Sequence, residues 1–303
     1  MKRPITAIII LMLPLLSACS NPYPPITAPS ENEHAAENNT HPGIEVIGEN
    51  GDDGTDVPNA EEEATKPNPD IPKEDEDTPQ ASPSDSKLYR MNQVYRFVPL
   101  AEDVPEKAVL LTFDDGPKEE KLLEQMLSTL DKHKAKAIFF VNGYRVKANP
   151  ELLQMIHARG HAIGNHSWDH IDLKKQEHTE VLRQIKDVQD IVLGLTGESP
   201  RFFRPPFGSG SDFVKQTAKD HDMLYMTWSN GSLDWDKSTK DNPEAVIKNV
   251  MDQLHPGANI LMHELQWTAD ALDGLLNKLK DSGYGFIDPA AIETEQQPSG
   301  NAE

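Results

Sequence analysis

Short apolar runs alternate with amphipathic stretches along residues 108–287. The runs are rich in β-branched or aromatic residues, which is typical of strands, and the stretches between them have helical spacing. Strands are predicted at residues 108–113, 137–141, 161–164, 201–203, 223–228, 259–262 and 285–287. Seven strands that alternate with about six helices indicate an α/β fold, with a parallel sheet and helices outside it.

Several helices carry boundary signals. The clearest helix is predicted over residues 177–195, where apolar side chains repeat at helical spacing and Gly197 follows the last turn. The other predicted boundary residues are Pro150 and Gly160 around one helix, Asn242 with Pro243 at the start of another, and Ser211 and Thr268 as N-caps.

Polar side chains of the kinds found in active sites follow almost every predicted strand. They are Asp114, Asp115, Asn142, His166, His170, Arg204, Asp234 and His263. In a β/α barrel the carboxyl ends of the strands form one rim, where active sites are built. An open sheet would instead spread such residues along an edge. Polar residues at six consecutive strand ends favour the ring, so we predict a distorted, seven-stranded, TIM-like β/α barrel.

The first residues have the pattern of an export signal. Lys2 and Arg3 precede an apolar run over residues 5–16, which is too short for a stable membrane span. The run ends in Leu-Ser-Ala-Cys, which resembles the bacterial lipobox, where the cysteine is lipidated. We predict a lipoprotein signal peptide over residues 1–18 and a lipid on Cys19. The alternative is an ordinary cleaved signal with a chance cysteine.

An acidic segment follows the signal. Residues 20–86 contain 17 acidic residues and 11 of the chain's 24 prolines, but only two basic residues. Such a composition buries too little apolar surface to fold, so we predict a disordered tether over residues 19–87. The catalytic domain is predicted over residues 88–290, with a disordered tail over 291–303. The net charge of −21 argues against nucleic acid as a partner, because phosphate binding requires basic patches.

Two features inside the predicted domain carry chemistry. His166 and His170 are separated by three residues, which predicts that both project from one face of a helical turn. With one carboxylate they would form the two-nitrogen, one-oxygen set of a catalytic zinc site, although a polar capped loop explains the pair equally well. The segment 112–117, Thr-Phe-Asp-Asp-Gly-Pro, supplies two adjacent carboxylates. A cation would relieve their repulsion, but an ordinary acidic turn is the alternative.

Five ordered motifs together resemble one family, the polysaccharide deacetylases, also called the NodB-homology or family four carbohydrate esterases. They are residues 112–117, residues 166–170, the Arg-Pro-Pro-Phe-Gly segment at 204–208, Asp234 with Trp235, and the Leu-Met-His segment at 261–263. The resemblance covers roughly residues 109–287 and is specific because all five motifs occur in order.

The resemblance implies a metal centre. Asp115, His166 and His170 would hold one divalent metal, and Asp114 would be the general base that acts on water. Arg204 would orient this base, with a salt bridge at the rim as the alternative. Zinc is the best match to these ligands, and cobalt and nickel accept the same set.

The resemblance also implies the remaining roles. His263 would protonate the leaving amine, with Asp234 as its partner, because a neighbouring carboxylate raises the pKa of a histidine. The backbone N–H of Phe207 would hold the developing oxyanion. Trp235 and Leu261 would form apolar walls around the acetyl methyl group, and both would otherwise be core residues.

Two positions depart from the family pattern. Phe207 stands where a tyrosine is usual, and Gly231 stands where an additional aspartate is often found. Neither change touches the expected metal ligands or proton carriers. The other histidines, assigned to surface or satisfied core positions, include His133, His157, His161, His178, His221 and His255.

These features predict an extracytoplasmic lipoprotein on the cell membrane that removes N-acetyl groups from a cell-wall glycan, above all peptidoglycan. One alternative is an O-acetyl esterase acting on xylan or wall polymer. The other is a non-catalytic envelope protein that binds glycan through the barrel rim.

Overall fold

The computed structural model of the chain describes residues 87–295. The predicted signal peptide, Cys19, the acidic segment up to residue 86 and residues 296–303 lie outside this range. The expectations for those segments therefore stay predictions.

The described chain alternates strands and helices. The strands are β1 (Tyr89–Met91), β2 (Phe97–Pro99), β3 (Ala108–Gly116), β4 (Ala137–Val141), β5 (Ala162–Asn165), β6 (Phe202–Phe203), β7 (Leu224–Tyr225), β8 (Asn230–Gly231), β9 (Ala258–His263) and β10 (Gly285–Phe286). The helices are α1 (Glu120–His133), α2 (Gly143–Ala148), α3 (Pro150–Ala158), α4 (His178–Thr196), α5 (Asp212–Asp220), α6 (Pro243–Asp252) and α7 (Gln266–Asp281). None of the helices in residues 87–295 combines the length and apolar character needed to span a membrane.

Eight parallel strands form one curled sheet. Seven of them follow in the order β7-β6-β5-β4-β3-β9-β8, and the eighth, β10, pairs with the start of β3. The predicted α/β class with a barrel-like parallel sheet is confirmed, and all seven predicted strands belong to this sheet. Among the described residues the outer strands β7 and β8 do not pair, so the sheet is a half-barrel and not a closed ring. The short strand β8 was not predicted, because Asn230–Gly231 has no apolar run to mark it.

Strand β3 is buried on both faces. Val109, Leu111 and Phe113 belong to the core cluster shared with the surrounding helices. Ala108 and Leu110 belong to the cluster inside the curled sheet. A strand covered on both sides reads as a continuous apolar run, which is why its prediction from sequence succeeded.

A β-hairpin that the sequence analysis missed covers the amino-terminal end of the sheet. Strands β1 and β2 pair antiparallel, and Tyr89 and Phe97 pack into the inner core cluster. The N–H of Phe97 donates to the carbonyl oxygen of Gly257 at 2.8 Å. The packing also continues past residue 290, since Ile292 is buried and forms a bridge with Tyr89.

Most predicted helix boundaries are confirmed. Helix α4 ends at Gly197, which has the left-handed φ of 79°. The side chains of Ser211 and Asn242 accept hydrogen bonds from the first turns of α5 and α6. The predicted cap at Thr268 is wrong: Thr268 lies inside α7, and its hydroxyl donates to Oδ2 of Asp234 at 2.7 Å.

Candidate active site

Asp114 and Asp115 lie at the carboxyl end of β3. The pairing of β3 with β4 shifts register between Asp114 and Gly116, so Asp115 is the extra residue of a β-bulge. Its φ is 68°, a left-handed conformation that aspartate tolerates better than most residues. A bulge redirects a side chain out of the strand's alternation. Asp115 therefore turns towards the neighbouring loop while Asp114 stays buried.

His166 and His170 follow β5 on a loop, so the predicted helical turn is wrong. Ser167 and His170 have φ values of 64° and 53°, which no right-handed helix contains. Nevertheless both rings face Asp115. Nε2 of His170 lies 3.1 Å from Oδ1 of Asp115, and Nε2 of His166 lies 3.5 Å from the same atom.

These three side chains fit a divalent cation. One ligand atom from each lies within 4.8 Å of the others. Oδ1 of Asp115 is buried without a hydrogen-bond donor, which leaves it free to bind a cation. Nδ1 of His166 lies 2.7 Å from the carbonyl oxygen of Arg204, and because a carbonyl only accepts, this nitrogen carries the ring proton. The lone pair on Nε2 of His166 is then available to a metal.

The pKa of Asp115 shows how this oxygen is kept charged. Burial raises the pKa, but the imidazoles of His166 and His170 beside the carboxylate and the charge of His263 outweigh it, so the pKa lies well below its usual range. The carboxylate is therefore ionised at neutral pH, as a metal ligand must be.

Asp114 is held by a buried arginine. Nη1 of Arg204 donates to Oδ1 of Asp114 at 2.7 Å and to the hydroxyl of Thr112 at 2.8 Å. Nη2 of Arg204 donates to the carbonyl oxygen of Thr227 and to Oδ1 of Asn259. Arg204 is fully buried and lies over the ring of Phe140, so its position is fixed by the interior and not by the rim.

A histidine–aspartate pair stands on the other side of β3. Nδ1 of His263 lies 2.7 Å from Oδ1 of Asp234, and the backbone N–H of His263 donates to Oδ2. The hydroxyl of Thr268 donates to the same oxygen, so Asp234 is completely buried yet well hydrogen-bonded. Burial lowers the pKa of His263, but the charge of Asp234 and its hydrogen bond outweigh this and raise the pKa to about 9.

Phe207 lies on the turn after β6. Its φ is 59°, and the hydrogen bonds of the turn are made by the N–H groups of Gly208 and Ser209. The N–H of Phe207 has no partner among residues 87–295. The ring of Phe207 is about half exposed and packs edge-on against His170, with ring centroids 4.7 Å apart.

Apolar side chains border His263. Trp235 packs edge-on against its ring, with centroids 5.3 Å apart, and Leu261 is buried two residues before it on β9. Trp228 was not singled out from the sequence, but its ring meets Trp235 at a centroid distance of 6.4 Å. A second tryptophan at the end of a predicted strand was the available signal.

Of the histidines assigned to the surface or the core, two are deeply buried. His133 contacts Asp273 at 2.7 Å and Lys280 at 3.0 Å, far from the metal ligands in sequence. Nδ1 of His161 accepts from the N–H of Ala137, while its Nε2 has no partner in the described chain. Burial lowers the pKa of His161 to about 4, so it is neutral.

Comparison with known proteins agrees with this geometry. The family model described as Polysaccharide deacetylase matches residues 101–226. The solved structure of peptidoglycan deacetylase PdaC from Bacillus subtilis is 37% identical with a TM-score of 0.55, and the match covers 60% of this chain and 87% of that one. This chain belongs to the polysaccharide deacetylase family.

Two further relatives of this chain have names that differ in whether they describe an active enzyme. Peptidoglycan-N-acetylglucosamine deacetylase PgdA of Listeria monocytogenes is 39% identical over 200 residues, which is 63% of this chain and 41% of PgdA. The structure of BA3943 from Bacillus anthracis, described as a CE4 family pseudoenzyme, is 34% identical with a TM-score of 0.56 and covers 60% of this chain and 64% of that one. The chain spans about two fifths of the length of the first curated relatives it matches.

The family is metal-dependent in general, and within residues 87–295 Asp115, His166 and His170 are the group whose ligand atoms lie close enough together to hold an ion. The two departures from the family pattern lie at the rim. Phe207 keeps its backbone N–H, and the backbone of Gly231 is held by the carboxamide of Gln253.

Proposed function

We propose that this chain is a metal-dependent hydrolase that removes N-acetyl groups from a cell-wall glycan. One observation carries the proposal: Asp114 and His263 are paired neighbours on β3 and β9, beside the cation site formed by Asp115, His166 and His170. A carboxylate and a protonated histidine flanking such a site are the base and the acid that amide hydrolysis requires.

Asp115, His166 and His170 would hold a divalent cation, which would supply Lewis-acid polarisation of the acetyl carbonyl and a lowered pKa for water. Asp114, oriented by Arg204, accepts the proton of the attacking water. The backbone N–H of Phe207 donates to the oxyanion that develops on the carbonyl oxygen. His263 gives its proton to the nitrogen as the carbon–nitrogen bond breaks, so acetate and a free amine leave.

We propose peptidoglycan as the substrate and zinc as the metal. PgdA and PdaC are named as peptidoglycan deacetylases for N-acetylglucosamine and N-acetylmuramic acid respectively. Zinc suits two imidazoles and one carboxylate, and cobalt and nickel accept the same ligands. An export signal and a lipid on Cys19 would keep the enzyme extracytoplasmic, at the membrane surface and close to the wall.

The test is acetate release from purified peptidoglycan, followed by mass spectrometry of the fragments, with and without a chelator. The expected result is chelator-sensitive acetate release and a glycan product in which each event has replaced one acetyl group on nitrogen by a hydrogen, leaving a free amine. Release of acetate only from O-acetylated xylan or wall polymer would instead identify an esterase. No acetate from any N-acetylated glycan, despite bound metal, contradicts the proposal.

A non-catalytic glycan-binding role is the second candidate, favoured by the pseudoenzyme BA3943, a mutant of which is described as having restored enzymatic activity. The substitution Asp114→Asn separates the two. It removes the base while leaving the three metal ligands, so turnover should fall about 100- to 10,000-fold with glycan affinity nearly intact. Equal acetate release by wild type and variant would remove Asp114 from the mechanism.

A further inference from the structure

The two histidine ligands are supported differently. His166 is fixed through its ring, by the carbonyl of Arg204, and through its backbone N–H, which donates to Val141 at 3.0 Å. Nδ1 of His170 has no hydrogen-bond partner among residues 87–295. Within residues 87–295 the ring of His170 stacks against the half-exposed Phe207 and the ring of His166, and its Nε2 lies beside Asp115. His170 also has a positive φ, which is unfavourable for a residue with a β-carbon.

The buried side chain of Gln184 forms two hydrogen bonds with Asp169, the residue before His170. Gln184 lies on α4 and is fully buried. Its Oε1 accepts the backbone N–H of Asp169 at 2.7 Å, and its Nε2 donates to Oδ2 of Asp169 at 2.6 Å and to Oε1 of Glu180 at 2.9 Å. We call these two contacts with Asp169 the Gln184 clamp.

The clamp fixes the backbone conformation of Asp169, and therefore the direction in which the chain continues to His170. A carboxamide offers one acceptor and two donors, and here all of them are used in a buried position, where losing a partner is costly. Because both the backbone and the side chain of Asp169 are held, Asp169 has little freedom to rotate. Arg183 also contacts Oδ2 of Asp169 at 2.9 Å, but this exposed ion pair contributes little rigidity.

We propose that Gln184 is a positioning residue for the metal centre, which keeps Nε2 of His170 within reach of the cation held by Asp115 and His166. This inference rests on the proposed function, in that the three side chains bind a divalent cation. Without the clamp, His170 samples several orientations, so the cation loses one nitrogen ligand for part of the time.

The test compares two glutamine variants of the full-length chain. Gln184→Met keeps the volume and removes the clamp. Gln253→Met is the matched control, because the carboxamide of Gln253 also holds a backbone segment. Its Oε1 accepts the N–H of Gly231 at 3.3 Å, and its Nε2 donates to the carbonyl oxygen of Gly231 at 2.8 Å. Gly231 carries no metal ligand. Zinc affinity is measured by competition with a chromophoric chelator, and the visible absorption of the cobalt-substituted protein reports the ligand set.

The expected result is a zinc dissociation constant about 10- to 100-fold larger for Gln184→Met, which is the usual effect of losing a partner that orients a metal ligand. The cobalt bands should weaken as water replaces a nitrogen. Gln253→Met should match wild type in both measurements. Circular dichroism of the metal-free proteins checks that each variant is folded.

The outcomes distinguish the two proposals. If wild type binds neither zinc nor cobalt, the proposed metal centre itself is wrong. If wild type and folded Gln184→Met bind zinc equally tightly, only the role of Gln184 is overturned. If Gln184→Met does not fold, Asp169→Ala decides, because it removes the side-chain half of the clamp at an exposed position. A several-fold weaker zinc affinity then supports the clamp, and an unchanged affinity overturns it.

Discussion

Two histidines on opposite sides of β3 make the same contact with different partners. Nδ1 of His166 lies 2.7 Å from the neutral carbonyl oxygen of Arg204, and Nδ1 of His263 lies 2.7 Å from the carboxylate of Asp234. The carbonyl fixes the tautomer of His166 and adds no charge, so its Nε2 lone pair faces the cation site. The carboxylate raises the pKa of His263 to about 9, so its Nε2 carries a proton. In the proposed mechanism, the charge of the partner, and not the distance, suits one imidazole to metal binding and the other to proton donation.

The largest loss of activity is expected from disrupting the metal ligands. Asp115→Ala removes the only oxygen ligand of the three side chains. A bound cation supplies several kcal/mol to the transition state, and about 1.4 kcal/mol changes a rate tenfold, so acetate release should fall about 1000-fold or more. Metal analysis of the purified protein and acetate release check this together. A variant that keeps both its metal and its rate contradicts the ligand assignment.

Removing the proposed proton donor, His263, should lower activity less than removing a metal ligand. His263→Gln leaves the cation site intact but removes the acid, which is expected to lower kcat about 100- to 10,000-fold on an N-acetyl substrate. An activated aryl acetate supplies the control, since its leaving group departs as an anion and needs no proton. Its hydrolysis should survive the substitution. Equal losses on the two substrates would argue that His263 supports the metal site and not the leaving group.

The partner of His263 is tested by the pH profile. The proposed mechanism requires protonated His263, so wild-type activity should be lost as the pH rises through about 9, the pKa of this residue. Asp234→Asn keeps the shape but removes the charge that raises this pKa. The alkaline limb should then move down by about two pH units, towards the ordinary histidine value of about 6.5. If the alkaline limb of the pH–activity profile does not move in Asp234→Asn, the loss of activity at high pH is due to the titration of a group other than His263.

The smallest effect is expected at Phe207, whose backbone and side chain are proposed to do different things. Phe207→Ala retains the backbone N–H that is proposed to hold the oxyanion and removes the edge contact of the ring with His170. Such an aromatic contact contributes about 0.5–1.5 kcal/mol, so kcat/KM should change by about 2- to 10-fold. Steady-state kinetics on glycan fragments measures it. A loss as large as that of His263→Gln would show that the ring itself is part of the machinery.

Much of this arrangement was predictable. The apolar runs located β3 and β4 because strands covered on both faces leave an unambiguous pattern in the sequence. The residues that follow those strands share one rim, so placing Asp114, His166 and His263 together required only the alternation of strands and helices. The hairpin β1–β2 and the two-residue strand β8 were missed, because short elements carry too few positions to show a period.

The local backbone conformation and hydrogen-bond partners of individual residues were harder to predict from the sequence. The spacing of His166 and His170 suggested a helical turn, but both residues lie on a loop with left-handed residues. Thr268 looked like a helix cap, yet its hydroxyl serves a buried aspartate more than thirty positions earlier in the chain. Both errors have one cause: a preference for local hydrogen bonding was outweighed by partners that the fold brings from elsewhere.

The sequence by itself determined the class of fold and the rim that gathers the candidate catalytic side chains, because periodicity and residue type are local properties. Only the tertiary structure decided which partners each of these side chains has. Arg204 supplies its carbonyl to His166 and its guanidinium to Asp114, and Asp234 supplies its charge to His263. These partners are distant in the chain, and a proton's position depends on the field of the groups that surround it in space.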